Sequence, residues 1–365
     1  MIATTAKNVD ADFMRSAIGL AARGLGNAFP NPAVGCLIVK DGLVVGRGWT
    51  QPGGRPHAET EALKQAGDAA IGATAYVTLE PCAHTGKTPP CANALVDAKI
   101  SRLVVAITDP DPRVGGLGLH ILKLGGISIT KDVCRDEAWQ SNLGYFLNTT
   151  LHRPMFTLKL ATDANGHIPG PDATGQDKWI TSPQARKRGH LLRANHDAVL
   201  FGIGTLLSDD PEYTCRLAGL EHASPIRVLL DSQLRLPIDS KLLKSQDKAP
   251  IWVICGRDAP VRDDLQALDI TIIRAPQNQP DPDWVGAELS KRDITRVLIE
   301  TGPNLANAFL EADLVDEMAW FRADKTLGAD SVRAFNENLL EKLAFTQEAV
   351  LQAGSDQLEL YVKGA

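Results

Sequence analysis

The chain has 365 residues, a formal net charge of −6, 44% hydrophobic residues and 22% charged ones. That length suggests two domains, and the composition is that of an ordinary globular protein able to bury a full core. The acidic balance argues against a nucleic-acid partner, which would need a basic surface to meet phosphate, and points to a small substrate.

No cationic start followed by an apolar stretch stands near Met1, and no apolar run approaches the length of a membrane span. A cytoplasmic protein without a membrane partner is expected. Six cysteines in this length do not make a disulfide framework. Cys36, Cys134, Cys215 and Cys255 read as buried or free thiols in a reducing compartment, and the other two are accounted for below.

In chain order, Asp10 to Leu25 places Phe13, Ala17, Ile18, Ala21 and Leu25 at helical spacing and ends at Gly26, which predicts an amphipathic opening helix. Asn31-Pro32 leads into a buried strand up to Val39. Asp41-Gly42 then predicts a hairpin turn returning through Leu43 to Gly46. A helix from Ala58 to Ala66, a strand from Thr74 to Leu79, a helix from Ala92 to Ala98 and a strand from Arg102 to Ile107 follow. A short strand at Ile127 to Ile129 and a helix from Asp136 to Leu147 close the first half. Strands alternating with helices predict an α/β layer domain, with a boundary near residue 150.

One constellation in this half carries chemistry. His57, Cys82 and Cys91 offer one imidazole and two thiolates, three protein ligands that leave the fourth tetrahedral position of a zinc ion open to water. The metal would acidify that water, and Glu59, a carboxylate that is not a ligand, would shuttle the proton. H-x-E followed by Pro-Cys and a second Cys is the signature of zinc deaminases acting on an amidine-like ring carbon. Taken singly, each residue reads better as a buried cysteine or a surface histidine; the grouping is what points to metal.

His57 and Cys91 both stand where a helix begins, where partial positive charge favours thiolate. Residues two apart on a regular helix point about 200° away from each other. His57 and Glu59 therefore converge only if His57 lies in the irregular first turn, with Pro56 as local support.

The second half restarts with a strand from Met155 to Ala161. Ser182-Pro183 caps a helix from Gln184 to Asn195, and strands follow at 198–201, 226–230 and 251–254. A strand from Arg296 to Glu300 then passes through Thr301-Gly302-Pro303 into a helix from Asn304 to Ala312. A strand ending in glycine and feeding a helix N-terminus is a phosphate-binding arrangement. Alone it is weak, because Gly202-Ile203-Gly204 lacks the third glycine of a dinucleotide fingerprint, and this half stays an unassigned α/β domain.

Asn31-Pro32 before Val34-Gly35, His57-Ala58-Glu59, Thr78-Leu79-Glu80-Pro81-Cys82, Gly86-Lys87-Thr88-Pro89-Pro90-Cys91 and Asp109-Pro110-Asp111-Pro112 together resemble the deaminase half of the bifunctional riboflavin-biosynthesis deaminase–reductase family. Leu158-Lys159-Leu160-Ala161, Lys178-Trp179-Ile180-Thr181, Leu192-Arg193-Ala194, Gly204-Thr205-Leu206-Leu207-Ser208-Asp209-Asp210-Pro211, Leu230-Asp231-Ser232 and Glu300-Thr301-Gly302-Pro303-Asn304-Leu305-Ala306 resemble its reductase half. Asp111 and Leu117 depart from the family's pattern in the deaminase half, and Asp163, Asn165, Asp177 and Tyr213 do so in the reductase half.

The resemblance implies a cytidine-deaminase-like three-layer α/β/α domain over residues 1–150, followed by a dihydrofolate-reductase-like α/β domain over residues 151–365. It implies Zn2+ and NADPH as cofactors, a phosphorylated pyrimidine as substrate, and a homo-oligomer. In the first half Asn31 would contact the pyrimidine, and His84, Lys87 and Asp109 would face the ribose phosphate. In the second, Ala161, Trp179, Thr205, Asp209, Ser232 and the run Gly302, Pro303, Asn304, Leu305, Ala306, Asn307, Ala308 would line the nicotinamide nucleotide. Lys159, Arg193, Arg216 and Glu300 would face the substrate. The alternative is a zinc deaminase of another small heterocycle with a second domain that reduces nothing.

Overall fold

The computed structural model of the chain describes residues 6–83, 89–111, 115–170 and 180–364. The chain divides into two units, Met1–His152 and Arg153–Ala365.

In the first unit the order is α1 (Ala6–Ala21), β1 (Gly35–Lys40), β2 (Leu43–Trp49), α2 (Ala58–Ala66), β3 (Thr74–Val77), α3 (Cys91–Asp97), β4 (Arg102–Val105), α4 (Leu117–Leu124), β5 (Ser128–Thr130), α5 (Arg135–Ser141) and α6 (Leu143–Leu151). The sheet runs β2-β1-β3-β4-β5. β1 is antiparallel to both β2 and β3, and the β3, β4 and β5 pairings are parallel. Asp41 (φ 50°) and Gly42 (φ 78°) make the predicted hairpin turn, both with the positive φ that a tight two-residue turn requires.

Glycines set how close the helices come. A Cβ on Gly35 would stand 1.9 Å from the Ala17 carbonyl oxygen, so α1 lies backbone-to-backbone on β1. Gly46 and Gly48 do the same for α2, with Cβ positions 2.2 and 2.0 Å from the carbonyl oxygens of Ala62 and Ala58. Gly35 pairs with Trp49, whereas Gly48 pairs with Cys36 one register position along. Side chains alternate across a strand, so α1 and α2 cover opposite faces, giving three layers. Between them Ile38, Val77, Leu95, Leu103 and Val105 are fully buried.

One predicted helix is two. The stretch expected as a single helix from Asp136 to Leu147 breaks at Asn142, whose backbone leaves helical geometry at φ −114°. The buried Asn142 side chain instead receives the Ala33 N–H at 3.0 Å and donates to the Ala33 carbonyl at 2.7 Å. Satisfying a buried backbone pair outweighs continuing the helix ladder.

The second unit runs β6 (Met155–Thr162), β7 (His167–Ile168), α7 (Pro183–Ala194), β8 (Ala198–Gly202), α8 (Ile203–Asp209), β9 (Ile226–Leu230), α9 (Lys241–Lys244), β10 (Ile251–Cys255), α10 (Asp263–Gln266), β11 (Thr271–Arg274), α11 (Pro282–Ser290), β12 (Arg296–Ile299), α12 (Pro303–Glu311), β13 (Val315–Arg322), β14 (Val332–Arg333), α13 (Asn338–Lys342), β15 (Phe345–Ala353) and β16 (Asp356–Lys363). Its large sheet has the order β11-β10-β9-β8-β12-β6-β13-β16-β15. Neighbours from β11 to β13 are parallel, and β16 and β15 join antiparallel. The chain steps outward from β8 to β11 and then returns to lay β12 between β8 and β6. Open parallel sheets hold ligands at such a reversal, outside the carboxyl ends of the strands. The strands β13, β15 and β16 have no counterpart among the elements expected from sequence.

The glycine contact under α2 yields a test. Gly48→Val forces a side chain into the Ala58 carbonyl, an overpacking that costs about 2 kcal/mol or more. Because α2 carries His57 and Glu59, thermal unfolding of the variant should begin earlier and its zinc content should drop. Unchanged melting and metal content would mean that α2 is not seated by this contact.

Candidate active sites

In the first unit, three ligand segments meet because each ends at an element boundary. His57 is the N-cap of α2 with extended backbone (φ −72°, ψ 160°), so it stands outside the regular helix and can turn back over Glu59. Cys91 is the first residue of α3, preceded by Pro90 as N-cap. Cys82 lies beyond the end of β3. Their ligand atoms lie within 4.8 Å of one another. His57 Nδ1 is 3.6 Å from Cys82 Sγ and 3.3 Å from Cys91 Sγ. Zinc–sulfur and zinc–nitrogen bonds in a tetrahedral set put S and N about 3.5 Å apart, so the spacing fits the ion.

The protonation chemistry fits as well. The Cys82 thiol is drawn down to about 4 by hydrogen bonding from Cys91, with further help from His57 and from the Cys91 backbone N–H, while burial works against it. That N–H points at Cys82 Sγ from 3.3 Å, the start of α3 aimed at a thiolate. Cys91 is pushed up because its thiol donates a hydrogen bond to Cys82, and His57 is raised by its hydrogen bond with Cys82. Protons shared in this way are what a bound cation displaces.

Glu59 is only 3% exposed. Burial lifts its carboxyl to about 7. It lies beside the trio, not in it.

The other expected contacts of this unit are placed unevenly. Asn31 packs on Gly54, whose φ of +79° and missing Cβ make room for it; a Cβ there would stand 2.0 Å from Asn31 Nδ2. Asp109 Oδ1 accepts the Asp111 N–H at 2.9 Å. His84 and Lys87 lie outside the described residues.

In the second unit Ala161, Thr205, Ser232, Glu300 and Gly302 lie at or just past the carboxyl ends of β6, β8, β9 and β12. Glu300 directly follows β12. It is gripped by Arg193, whose Nη2 donates to Oε2 at 2.9 Å and whose Nε donates to Oε1 at 2.5 Å. Lys159 Nζ stands 3.5 Å from the same carboxylate. Burial alone would raise this acid, but Arg193 and Lys159 hold it at about 2. The fork of Arg193 is thus closed on a protein carboxylate, and its Nη1 donates to the Thr214 carbonyl.

Arg216, by contrast, is exposed. Its backbone N–H donates to His190 Nδ1 at 3.3 Å. Burial and the neighbouring Arg193 and Arg216 depress this imidazole to about 4, so it is neutral and can accept.

Two residues that the sequence reading left without a role complete the cluster. Tyr213 stacks on Phe201, lies under the Arg193 guanidinium and donates its hydroxyl to the Glu300 carbonyl at 3.0 Å. His190 sits one helical turn before Arg193, a spacing that could have flagged it.

For the cofactor side, Gly302 is the N-cap of α12, with no side chain capping the helix. The first N–H groups of α12 are therefore available to an anion. The Gly302 N–H donates to Thr205 Oγ1 at 3.3 Å, which ties the β12–α12 turn to α8. Asp209 ends α8, Ser232 follows β9, and Ala161 lies on β6 two residues past Lys159. Asn307 lines a cleft of about 500 Å³ with Arg333, Phe335, Asn336, Glu337 and Asn338. Trp179 and Asp177 lie outside the described residues.

Comparison with known proteins finds a match for each half of the chain. The cytidine and deoxycytidylate deaminase zinc-binding region matches residues 7–107, and the RibD C-terminal domain matches residues 157–358. Riboflavin biosynthesis protein RibD of Escherichia coli (strain K12) is 38% identical over 355 residues, covering 92% of this chain and 93% of its own. Its namesake from Aquifex aeolicus is 38% identical over 324 residues, covering 88% and 89%.

Among solved structures, form 1 of Acinetobacter baumannii RibD superposes with a TM-score of 0.87 at 39% identity, covering 98% of this chain and all of that one. A diaminohydroxyphosphoribosylaminopyrimidine deaminase/5-amino-6-(5-phosphoribosylamino)uracil reductase from Thermotoga maritima gives 0.85 at 30% identity, covering 99% and 100%. With a reductase domain matched over 157–358, a second half that reduces nothing is not favoured. The chain belongs to the RibD family, the bifunctional riboflavin-biosynthesis enzymes that join a zinc-dependent deaminase domain to an NADPH-using reductase domain.

Proposed function

We propose that the first domain, residues 1–150, hydrolytically deaminates 2,5-diamino-6-ribosylamino-pyrimidinone 5′-phosphate, and that the second, residues 151–365, reduces the ribosyl group of the product to ribityl. The observation that carries this reading is the His57, Cys82 and Cys91 trio with a buried, non-ligating Glu59 beside it. Zinc held by that trio supplies the Lewis acidity that readies water for addition to the ring carbon.

The rest falls to the chain's own groups. Glu59, whose carboxyl is raised by burial and which lies beside the trio, is the group placed to move protons. It takes one proton from water and gives it to the ring nitrogen, then takes the hydroxyl proton of the adduct and passes it to the amino group, which leaves as ammonia while the carbonyl forms. Asn31, seated on Gly54, orients the pyrimidine, and Asp109 with His84 and Lys87 faces the ribose phosphate.

In the reductase, NADPH supplies the hydride and the protein supplies orientation. The start of α12, from Gly302 through Ala308, with Ala161, Trp179, Thr205, Asp209 and Ser232, holds the dinucleotide. Lys159 and Glu300 face the ribosyl group. Arg216, exposed, offers its guanidinium to the phosphate, and Arg193, closed on Glu300, fixes that carboxylate in place.

A homo-oligomer in the cytoplasm is part of the same proposal. No helix among the described residues is long and apolar enough to cross a membrane.

Replacing the shuttle separates proton transfer from metal binding. Glu59→Gln should keep about one zinc per chain yet slow ammonia release by ~10²-fold or more. Metal analysis and an ammonia assay on one sample decide it, since loss of zinc would make Glu59 a ligand.

Separate sites also predict separable activities. A Cβ at Gly302 would meet nothing closer than Thr205 Oγ1 at 4.0 Å, so Gly302→Val should fold normally while covering the start of α12. It should weaken NADPH binding about 10-fold or more and leave deamination intact. His57→Ala should do the reverse, abolishing deamination while reduction of supplied deaminated intermediate continues. A His57→Ala protein that binds NADPH normally but cannot reduce would sink the proposed independence.

A further inference from the structure

Glu80 lies three residues past the end of β3 and two before the metal ligand Cys82. It is 7% exposed. Its backbone N–H donates to the Ile107 carbonyl at 2.9 Å, which ties the segment after β3 to the segment after β4. Its carboxylate is filled by backbone donors. Oε2 accepts the N–H groups of Asp109 at 3.2 Å and Gly116 at 2.9 Å, one at each end of the 109–116 segment. Oε1 accepts those of Gly118 at 2.9 Å and Leu119 at 3.3 Å, in the first turn of α4.

Glycine packing provides independent support for the same clamp. A Cβ on Gly118 would stand 1.9 Å from the Pro81 carbonyl oxygen, so the start of α4 touches the residue next to Cys82. A Cβ on Gly115 would stand 2.5 Å from the Asp109 carbonyl oxygen. Backbone contacts thus run without a gap from the start of α4 to the metal ligand.

We propose that Glu80 is a positioning residue of the deaminase. It holds both ends of the 109–116 segment at a set distance from Cys82, and so fixes where Asp109 meets the substrate relative to the zinc. It touches neither. This rests on the reading that Asp109 faces the ribose phosphate end of the substrate. The carboxylate suits the task because it is acceptor-only, with both oxygens able to take two N–H groups. An amide of the same shape would turn an NH2 group towards two N–H donors whichever way it is oriented, and would release either the segment ends or the α4 start.

Glu80→Gln and Asp109→Ala test this in the full-length zinc enzyme, with zinc content and ammonia-release kinetics measured for each. Glu80→Gln should keep zinc and keep kcat within about threefold, while KM for the phosphorylated pyrimidine rises about 10-fold or more, as expected of a lost alignment outside the chemical step. Asp109→Ala should raise KM in the same direction. A kcat loss without a KM change, or loss of zinc, overturns the proposal, because Glu80 would then support the metal centre itself. Unchanged KM in Glu80→Gln with a raised KM in Asp109→Ala overturns the role of Glu80 alone. Unchanged KM in Asp109→Ala overturns it through the substrate reading on which it stands.

Discussion

The deaminase site depends on how closely one helix can approach one strand. Zinc needs three donors from segments far apart in the chain, held to within a few tenths of an ångström. Side chains stacked between layers would not hold that tolerance, since rotamers shift. Gly46 and Gly48 remove the intervening side chains, so the backbone of α2 rests on the backbone of β2. His57 and Glu59 inherit that precision, one as the cap of α2 and the other in its first turn. Cys91 is placed as the first residue of α3, with its N–H directed at Cys82 Sγ.

The reductase site is organised by charge. Burying Glu300 with Arg193 and Lys159 takes ions out of water, and such pairs seldom stabilise a fold over well-packed apolar side chains. Its presence at the reversal of strand order, where ligands bind, favours a functional reading over a structural one. The cluster is also overdetermined. Tyr213 reaches the Glu300 backbone, and Thr214 takes the remaining Arg193 donor, so the carboxylate has little freedom before substrate arrives. Preorganised charge of this kind needs no reorganisation during reaction.

Much of this was legible in the chain. The zinc trio and its carboxylate could be read because metal chemistry restricts ligand types, and the hairpin because Asp-Gly is suited to two positive φ values. The break at Asn142 was hidden, because its cause is a hydrogen-bond pair to Ala33 more than a hundred residues away. Local periodicity reads straight through it. The strands β15 and β16 escaped for another reason. β15 is an exposed edge strand whose residues do not alternate apolar with polar, and only its pairing with β16 makes it a strand.

The departures from the family pattern are where reading residues one at a time misleads most. Asp163 and Asn165 look like two losses. In the structure, the buried Asp163 carboxylate accepts the N–H groups of Asn165 at 2.9 Å, His167 at 2.8 Å and Leu327 at 2.9 Å. Burial would raise this acid, but the three donors hold it below the usual range, so it is charged and bound both within the turn after β6 and by the distant Leu327 N–H. Its charge is therefore engaged in shaping the turn after β6. Tyr213 likewise keeps the apolar packing against Phe201 and adds a hydroxyl that fixes Glu300. At Asp163 and Tyr213 the side chain is tied to backbone groups, three N–H donors for the first and the Glu300 carbonyl for the second.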